Sequence, residues 1–135
     1  MTESRLPIRT EHDIVVARQR GREIAERIGF TGSDLTVIAT AISELARNIV
    51  QYAEGGEIVI DESSGNGRRG IVIVAGDEGP GIPDVDRAME DGFSTSRSLG
   101  LGLPGARRLM DEFDISSGVG RGTKVTVRKW VSGPR

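Results

Sequence analysis

Apolar residues recur at two different periods along the chain, and the longer period predicts two helices near the N-terminus. Thr10 and Asp13 have the spacing of a capping box, and Gly29 is suited to end the helix that follows. A second helix is expected after it, with Ser33 as its N-cap. Its core-facing stripe has the helical 3,4 spacing and consists of Leu35, Ile38, Ile42, Leu45 and Ile49. A short edge strand over residues 5–9 is expected to precede both helices.

The shorter period, alternation of apolar and polar residues, predicts a sheet in the rest of the chain. Residues 57–61 alternate, and residues 69–76 contain the most apolar run of the sequence. Asn66-Gly67 lies between them, and this dipeptide is a strong signal for a hairpin turn. A third helix is expected to begin at Leu103-Pro104. Two final strands over residues 113–117 and 123–131 complete the predicted sheet.

Composition narrows the class of protein. A length of 135 residues predicts one domain, and a net charge of −2 gives no indication of nucleic-acid or membrane binding. The absence of cysteine excludes disulfides and thiolate chemistry, and a single histidine, His12, argues against a histidine metal site or a Ser-His-Asp triad. His12 is interpreted as a solvated surface residue. No signal peptide or spanning apolar run is recognisable, so a cytoplasmic location is expected.

The stretch Asp77-Glu78-Gly79-Pro80-Gly81 directly follows the predicted central strand. A carboxylate at the tip of a buried strand is costly to leave unpaired. The glycines after it allow a flat or bulky group to approach the backbone closely. An ordinary tight turn would use the same residue types, so this stretch alone does not decide between a turn and a site.

Glu44 and Asn48 lie four residues apart and therefore project from one side of the second helix. The helical angle places them beside the apolar stripe, at the border between core and solvent. A solvated helix face remains the alternative interpretation. Asparagine is mildly unfavourable inside a helix, however, which favours a specific role.

A glycine-rich region over residues 76–105 is too long for an ordinary connection and predicts a lid over about residues 82–99. It ends in Gly100-Leu101-Gly102-Leu103-Pro104-Gly105, which matches G-x-G-x-x-G. A Rossmann site is rejected because this motif follows a polar loop and not a strand. Backbone N–H groups at the start of the third helix still form an anion site suited to phosphate. Together, these features predict a nucleotide site.

Four motifs carry a resemblance to a known family. Residues 44–48 (Glu-Leu-Ala-Arg-Asn) resemble the N box of the GHKL ATPase and kinase superfamily, and residues 77–81 resemble its D-x-G-x-G box. Residues 100–103 resemble its second glycine box, and residues 120–123 (Gly-Arg-Gly-Thr) its final G-x-G-T box. Their order and spacing agree over nearly the whole chain. Within the superfamily, the chain resembles the small bacterial serine/threonine kinases of partner-switching pathways, most closely the switch kinases of stressosomes.

The resemblance implies an α+β two-layer sandwich of the Bergerat type. Its sheet is expected to be mixed and mostly antiparallel, with the helices on one face. Residues 1–135 would form a single ATP-binding kinase domain that binds ATP and Mg²⁺ between the helices and the lid.

The resemblance also implies roles at the adenine end of such a site. The Asp77 carboxylate would accept a hydrogen bond from the adenine amino group, and Gly79 and Gly81 would allow the ring to approach. Thr123 would support the same end through its hydroxyl group, directly or through a water molecule.

At the phosphate end, the resemblance implies that Asn48 ligates Mg²⁺. The N–H groups that would contact phosphate belong to Gly100, Leu101, Gly102 and Leu103. Glu44 would act as general base toward the substrate hydroxyl group. Arg97 is the candidate for stabilising the γ-phosphate, although it stands about one residue from the arginine of the relatives, and Arg47 is the alternative.

The partners implied by the resemblance are STAS-domain stressosome proteins as substrates and a PP2C-type phosphatase that the released kinase activates. An anti-sigma factor with kinase activity is the alternative function, and a histidine-kinase ATP domain without its dimerisation helices is a third. A homodimer is left open. Neither nucleic acid nor membrane is expected as a partner.

Overall fold

The structure is a computed structural model that describes residues 3–53, 55–65, 67–77, 102–118 and 122–131. The described helices are α1 (Glu11–Ile28), α2 (Ser33–Tyr52) and α3 (Gly102–Leu109). The strands are β1 (Ser4–Ile8), β2 (Gly56–Gly65), β3 (Arg68–Asp77), β4 (Glu112–Gly118) and β5 (Gly122–Trp130). They form one five-stranded sheet in the order β1-β2-β3-β5-β4, in which every neighbouring pair is antiparallel.

The core lies between one face of this sheet and the helices, so the described chain has two layers. Along β3 the side chains alternate: Ile71, Ile73 and Ala75 are buried, whereas Val72 and Val74 are half-buried on the other face. The apolar stripe of α2 is buried against the inner face of the sheet. Each aliphatic side chain removed from water in this way contributes about 1.5–3 kcal/mol before entropy is counted. The expected α+β fold with helices on one face is confirmed. The sheet was expected to be mixed, but its described strands pair only antiparallel, because β5 lies between β3 and β4, which run in the same direction.

The predicted hairpin is also present. β2 and β3 pair from Gly56 opposite Asp77 to Gly65 opposite Arg68, which leaves two residues for the turn. Gly67 has a φ of 77°, as the second residue of such a turn requires. The edge strand β1 and the final strands β4 and β5 lie within one or two residues of their predicted positions. The lid predicted over about residues 82–99 lies outside the described residues. Within the described ranges, none of the helices is long and apolar enough to cross a membrane.

The start of α2 corrects one expectation. Ser33 is not the N-cap but the first helical residue, and Gly32 takes the cap position without a side-chain hydrogen bond. Gly32 has φ 60° and ψ −137°, a backbone conformation that residues with a Cβ atom rarely adopt. The chain turns there so that the Thr31 carbonyl accepts from the Asp34 amide and the Gly32 carbonyl accepts from the Leu35 amide. Backbone hydrogen bonds at Gly32 therefore begin the helix, in place of the Ser33 side-chain cap that the residue type suggested.

The capping box at the start of α1 is formed as predicted. The Asp13 amide donates to the Thr10 hydroxyl group. The Asp13 carboxylate accepts from the backbone amides of Arg9, at 2.9 Å, and Thr10, at 3.1 Å. These two backbone hydrogen bonds, the one from Arg9 first, hold the pKa of Asp13 below its ordinary value of 3.8. The start of α1 is thus stabilised by the ionised carboxylate of Asp13.

Acid is therefore expected to weaken the start of α1. The folded pKa of Asp13 is lower than the unfolded one, so the carboxylate contributes stability above pH 3.8 and loses it as the pH falls through the folded pKa. The difference in Tm between the wild type and Asp13→Asn should shrink in that range. Glu11→Gln, which alters another carboxylate in the same first turn, is the control. A Tm difference that stays constant from about pH 7 to about pH 3 would contradict this account.

Candidate functional site

One end of the sheet carries a row of residues that neighbouring strands bring side by side. The register pairs Asp77, at the end of β3, with Gly56 of β2 and with Thr123 of β5. Thr123 pairs in turn with Ser117 of β4. Asp77 lies two positions beyond the buried Ala75, so the alternation of the strand directs it to the helix-facing side. Directly paired residues have Cβ atoms about 5 Å apart, so this row is one continuous surface.

Gly56 fixes how closely β2 approaches the end of β3. A Cβ atom at this position would lie 2.3 Å from the Gly76 carbonyl oxygen and 3.0 Å from the Asp77 Cβ. The first distance is to backbone, which cannot move aside without shifting the strand. A side chain at position 56 would therefore displace Asp77. No pattern in the sequence pointed to this contribution of Gly56 to the site.

Two hydroxyl groups meet at the other end of the row. Thr123 is buried, with 6% of its surface exposed, and its Oγ1 lies 2.9 Å from Ser117 Oγ. Ser117 Oγ also donates to the Gly122 carbonyl oxygen at 3.1 Å. The sequence analysis did not single out Ser117. The available signal was a polar residue at an inward position of β4, in step with Phe113 and Ile115.

The flank of α2 holds the predicted acid and amide. Glu44 is buried, with 6% exposed, and its Oε2 accepts from Arg47 Nη1 at 3.3 Å. Asn48 lies one turn further along and is half-buried. The predicted border between core and solvent is confirmed for Asn48, whereas Glu44 lies deeper. Arg47, the alternative contact for the γ-phosphate, is paired with the candidate base.

Chain connectivity places this flank at the same end of the sheet as the row. α2 ends at Tyr52, and β2 begins at Gly56, which pairs with Asp77. Asn48 stands four positions before the end of the helix, about 6 Å along its axis. The carboxylate of Asp77, the hydroxyl of Thr123 and the polar flank of α2 thus belong to one end of the molecule.

α3 packs on α2. Gly102 is its first residue, and Leu103 is buried in the core. Backbone N–H groups in the first turn of a helix have no partner within the helix and favour an anion. The helix begins one residue before the predicted Leu103-Pro104, and two of the residues predicted to contact phosphate, Gly102 and Leu103, lie in its first turn. The other predicted contacts, Gly79, Gly81, Arg97, Gly100 and Leu101, lie outside the described residues.

A helical layer on an antiparallel sheet, with acidic, amide and hydroxyl side chains at one end, is consistent with an ATPase domain, the class that the sequence motifs predicted. Residues 6–129 match the family of histidine kinase-like ATPase domains, and the chain belongs to this family. The predicted GHKL membership is confirmed.

Two groups of relatives are similar to this chain over most of its length. The chain is 55% identical over 124 residues to the serine/threonine-protein kinase RsbT of Bacillus subtilis (strain 168), covering 92% of this chain and 93% of that protein. It is 30% identical over 111 residues to an anti-sigma F factor of Thermoanaerobacter sp. (strain X514), covering 79% of this chain and 78% of that one. The predicted likeness to a small bacterial serine/threonine kinase is thus confirmed at the level of RsbT.

Solved structures agree in fold. The mycobacterial sensor histidine kinase MprB superposes with a TM-score of 0.57 at 19% identity, over 94% of this chain and 97% of that one. A histidine kinase domain from Erythrobacter litoralis EL346 gives a TM-score of 0.51 at 20% identity, over 84% of this chain and 60% of that one. At these identities the likeness concerns the fold alone.

Proposed function

We propose that this protein is an ATP-dependent protein serine/threonine kinase. The observation that carries the proposal is the 55% identity to a serine/threonine-protein kinase over 92% of the chain. The geometry supports it, because acceptor groups from two strands meet at one end of the sheet and a buried carboxylate lies on the adjoining helix. The described residues of the four boxes that resemble the GHKL superfamily lie on α2, at the end of β3, at the start of α3 and at the start of β5.

In this proposal, the adenine ring binds over the row at the end of the sheet. The Asp77 carboxylate accepts a hydrogen bond from the 6-amino group, and Thr123 accepts a second one directly or through a water molecule. The glycines at positions 79 and 81 leave space for the ring. The row is held by ladder hydrogen bonds on both sides of β3, so these acceptors are placed before the nucleotide arrives.

Phosphoryl transfer proceeds at the other end of the nucleotide. The substrate hydroxyl oxygen attacks the γ-phosphorus, the bond from that phosphorus to the β–γ bridging oxygen breaks, and ADP leaves. Glu44 takes the proton of the hydroxyl group, which gives a phosphoserine or phosphothreonine. N–H groups of residues 100–103 hold the phosphates, and Arg97 stabilises the γ-phosphate, with Arg47 as the alternative. Such reactions depend mainly on positioning and on neutralising charge.

The residues present fit a magnesium ion. Mg²⁺ prefers oxygen ligands and is commonly held by one or two protein side chains together with substrate phosphates. Asn48 offers an amide oxygen from a half-buried position on α2, one turn beyond Glu44. When bound, the ion neutralises charge on the phosphates.

Replacing Asn48 with alanine is expected to weaken the Mg²⁺ dependence of both nucleotide binding and transfer. The loss should reach at least the ~10–100-fold in metal affinity that removal of an outer-shell partner costs. Titrating Mg²⁺ at fixed ATP measures it. Gln51→Ala, which removes an exposed amide from the same helix, is the matched control. An unchanged Mg²⁺ titration would assign the metal to other residues.

The proposed substrates are STAS-domain proteins of a stressosome, and the released kinase is proposed to activate a PP2C-type phosphatase. The support is the identity to RsbT together with the family resemblance. A homodimer stays a prediction.

The direct test is transfer of labelled γ-phosphate from Mg-ATP to STAS-domain proteins encoded in the same operon. Label should appear on one serine or threonine and should be absent with Asp77→Asn. ATP binding without transfer to any of these proteins would contradict the kinase proposal.

The second candidate is an anti-sigma factor, which the 30% identity to anti-sigma F factors favours. If the protein is an anti-sigma factor, the purified protein should retain a sigma factor in a pull-down with Mg-ATP. Retention of STAS-domain proteins instead would favour the kinase.

A further inference from the structure

The end of the sheet away from Asp77 carries Trp130, the only tryptophan of the chain. Its partner across the strands is Gly70 of β3, seven positions before Asp77. At about 3.3 Å per residue, Trp130 therefore lies roughly 23 Å from Asp77. Val125 and Val127 are buried against the helices, and Trp130 is out of step with them along β5. Its side chain is thus on the face of the sheet that points away from the helices.

The indole ring of Trp130 is held in one place. A Cβ atom at Gly70 would lie 2.7 Å from its Cε3 atom, and one at Gly65 would lie 3.7 Å from its Cη2 atom, so the ring covers these two glycines. Its Nε1 donates to Glu112 Oε2 at 2.9 Å. The backbone N–H of Trp130 donates to Asp111 Oδ2 at 2.8 Å. The ring position is therefore set by the strands beneath it and by hydrogen bonds to two carboxylates.

Arg68 places its guanidinium group over this ring, with Cζ 4.8 Å from the ring centroid. The cation-π contact is favourable and restrains an exposed side chain that would otherwise move freely in water. Among the described residues, Arg68 has no carboxylate within ion-pair distance. A guanidinium group carries five N–H donors in a planar fork that matches a carboxylate. Arg68 is therefore a cation that is already oriented and still has its donors available.

A cavity of about 470 Å³ adjoins this stacked pair. Its lining residues are Arg68, Asp111, Glu112, Lys129, Trp130 and Val131. Lys129 supplies a second cation, and within the part of the chain that the structure describes it has no ion pair either. Both carboxylates of the cavity accept from Trp130, and Glu112 also pairs with Arg128 at 3.6 Å. The charged groups left for a ligand are therefore the two cations.

We propose that Arg68, Lys129 and Trp130 form a docking surface for an acidic segment of a protein partner. One carboxylate of the segment accepts two hydrogen bonds from the Arg68 guanidinium group, and a second carboxylate pairs with Lys129. Tryptophan and arginine are enriched among the residues that dominate binding at protein interfaces. Because the surface is far from Asp77, the partner and a nucleotide can be bound together. The inference goes beyond the proposed function and does not depend on ATP binding.

Single-stranded nucleic acid is the other polyanion that cations beside an aromatic ring bind. Its backbone carries a charge at every phosphate, whereas the chain has a net charge of −2. The carboxylates of Asp111 and Glu112 line the same cavity and repel so dense a charge. A short acidic segment needs only the two cations. These charges favour a protein partner over nucleic acid.

The experiment is titration of the full chain at low ionic strength with a short oligoglutamate peptide. Anisotropy of a fluorescein-labelled peptide gives the affinity. The unlabelled peptide shows the place of binding, because the tryptophan emission of this protein comes from Trp130 alone. The oligoglutamate peptide should bind and change that emission. An oligoglutamine peptide of the same length, which lacks the carboxylates, should do neither.

Substitutions of the two cations test the contacts. Arg68→Gln and Lys129→Gln should each weaken binding of the oligoglutamate peptide by about tenfold, the lower end for a hydrogen bond to a charged group. Arg68→Lys keeps the charge without the planar fork and should recover only part of the loss. Arg22→Gln, the same change at an exposed position of α1, is the matched control and should bind as the wild type does. Asp77→Asn should also leave the peptide affinity unchanged.

Three results would overturn the proposal. If the oligoglutamate peptide does not bind and Arg68→Gln only lowers Tm, the stack on Trp130 is a structural contact between β3 and β5. If the peptide binds with unchanged Trp130 emission, or binds Arg68→Gln and Lys129→Gln as tightly as the wild type, it binds elsewhere. If an oligothymidylate of the same length binds more tightly and with the same dependence on Arg68, the partner is single-stranded nucleic acid and not a protein.

Discussion

Replacing Glu44 with alanine is expected to slow phosphoryl transfer by a factor on the order of 10²–10⁴ while ATP still binds. The carboxylate is buried on the α2 flank, one turn before Asn48, and the proposed mechanism assigns it the role of general base toward the substrate hydroxyl group. A buried acid that served only stability would give a different pattern. Its loss would lower Tm and leave the rate per folded molecule unchanged.

The ion pair with Arg47 makes this distinction measurable. The Arg47 side chain is 31% exposed, so it can turn to water when Glu44 is removed. Because the Glu44 carboxylate itself is buried, the variant is expected to lose some Tm as well, so transfer is compared per folded molecule. The measurements are single-turnover transfer of label, ATP affinity and Tm. Glu26→Ala, on the exposed side of α1, is the control. A normal transfer rate would remove Glu44 as the base.

Replacing Asp77 with asparagine is expected to weaken ATP binding by about 10- to 100-fold, the range for losing a hydrogen bond to a charged group. The change is nearly isosteric, so packing against Gly56 and Thr123 is retained. An amide can also present its NH₂ group to the adenine amino group, where two donors would meet. The effect should appear in binding and not only in turnover.

Asp114→Asn is the matched control for this variant. It makes the same chemical change on β4, at an exposed position of the other sheet face. Both variants should show the circular dichroism of the wild type. If Asp77→Asn bound ATP as tightly as the wild type and Asp114→Asn did, adenine recognition would have to be placed away from the end of β3.

The sequence was informative where the signal is local. The stripe of α2 and the capping box of α1 involve residues within a few positions of one another, and both are present in the structure. The start of α2 was wrong by one residue because the turn at Gly32 depends on a backbone conformation and not on a side-chain cap. Strand β2 extends to Gly65, beyond the predicted 57–61, because Ser63 and Ser64 pair with β3 without any apolar alternation to reveal it.

Individual residues of the site could be predicted from the sequence, but their arrangement relative to one another could not. Asp77 and Thr123 were found through motifs that resemble a known family, but their direct pairing depends on strand register between distant segments. No turn joins β3 directly to β5, so no local pattern reports the register between them. Gly56 and Ser117 were missed because each matters only through the residue opposite. The assignment of Glu44, Asn48 and the other site residues to their roles stays a prediction.

The order of the strands bears on when the protein becomes functional during its synthesis. β5 is made after β4 but lies between β4 and β3, so the sheet cannot close until it has been added. Such non-local pairing forms slowly and leaves strand edges exposed in the meantime. Thr123 lies on this inserted strand. A nascent chain that has already made Asp77 therefore still lacks Thr123 beside it, and if the row binds adenine as proposed, nucleotide stabilises the fold only after β5 has docked.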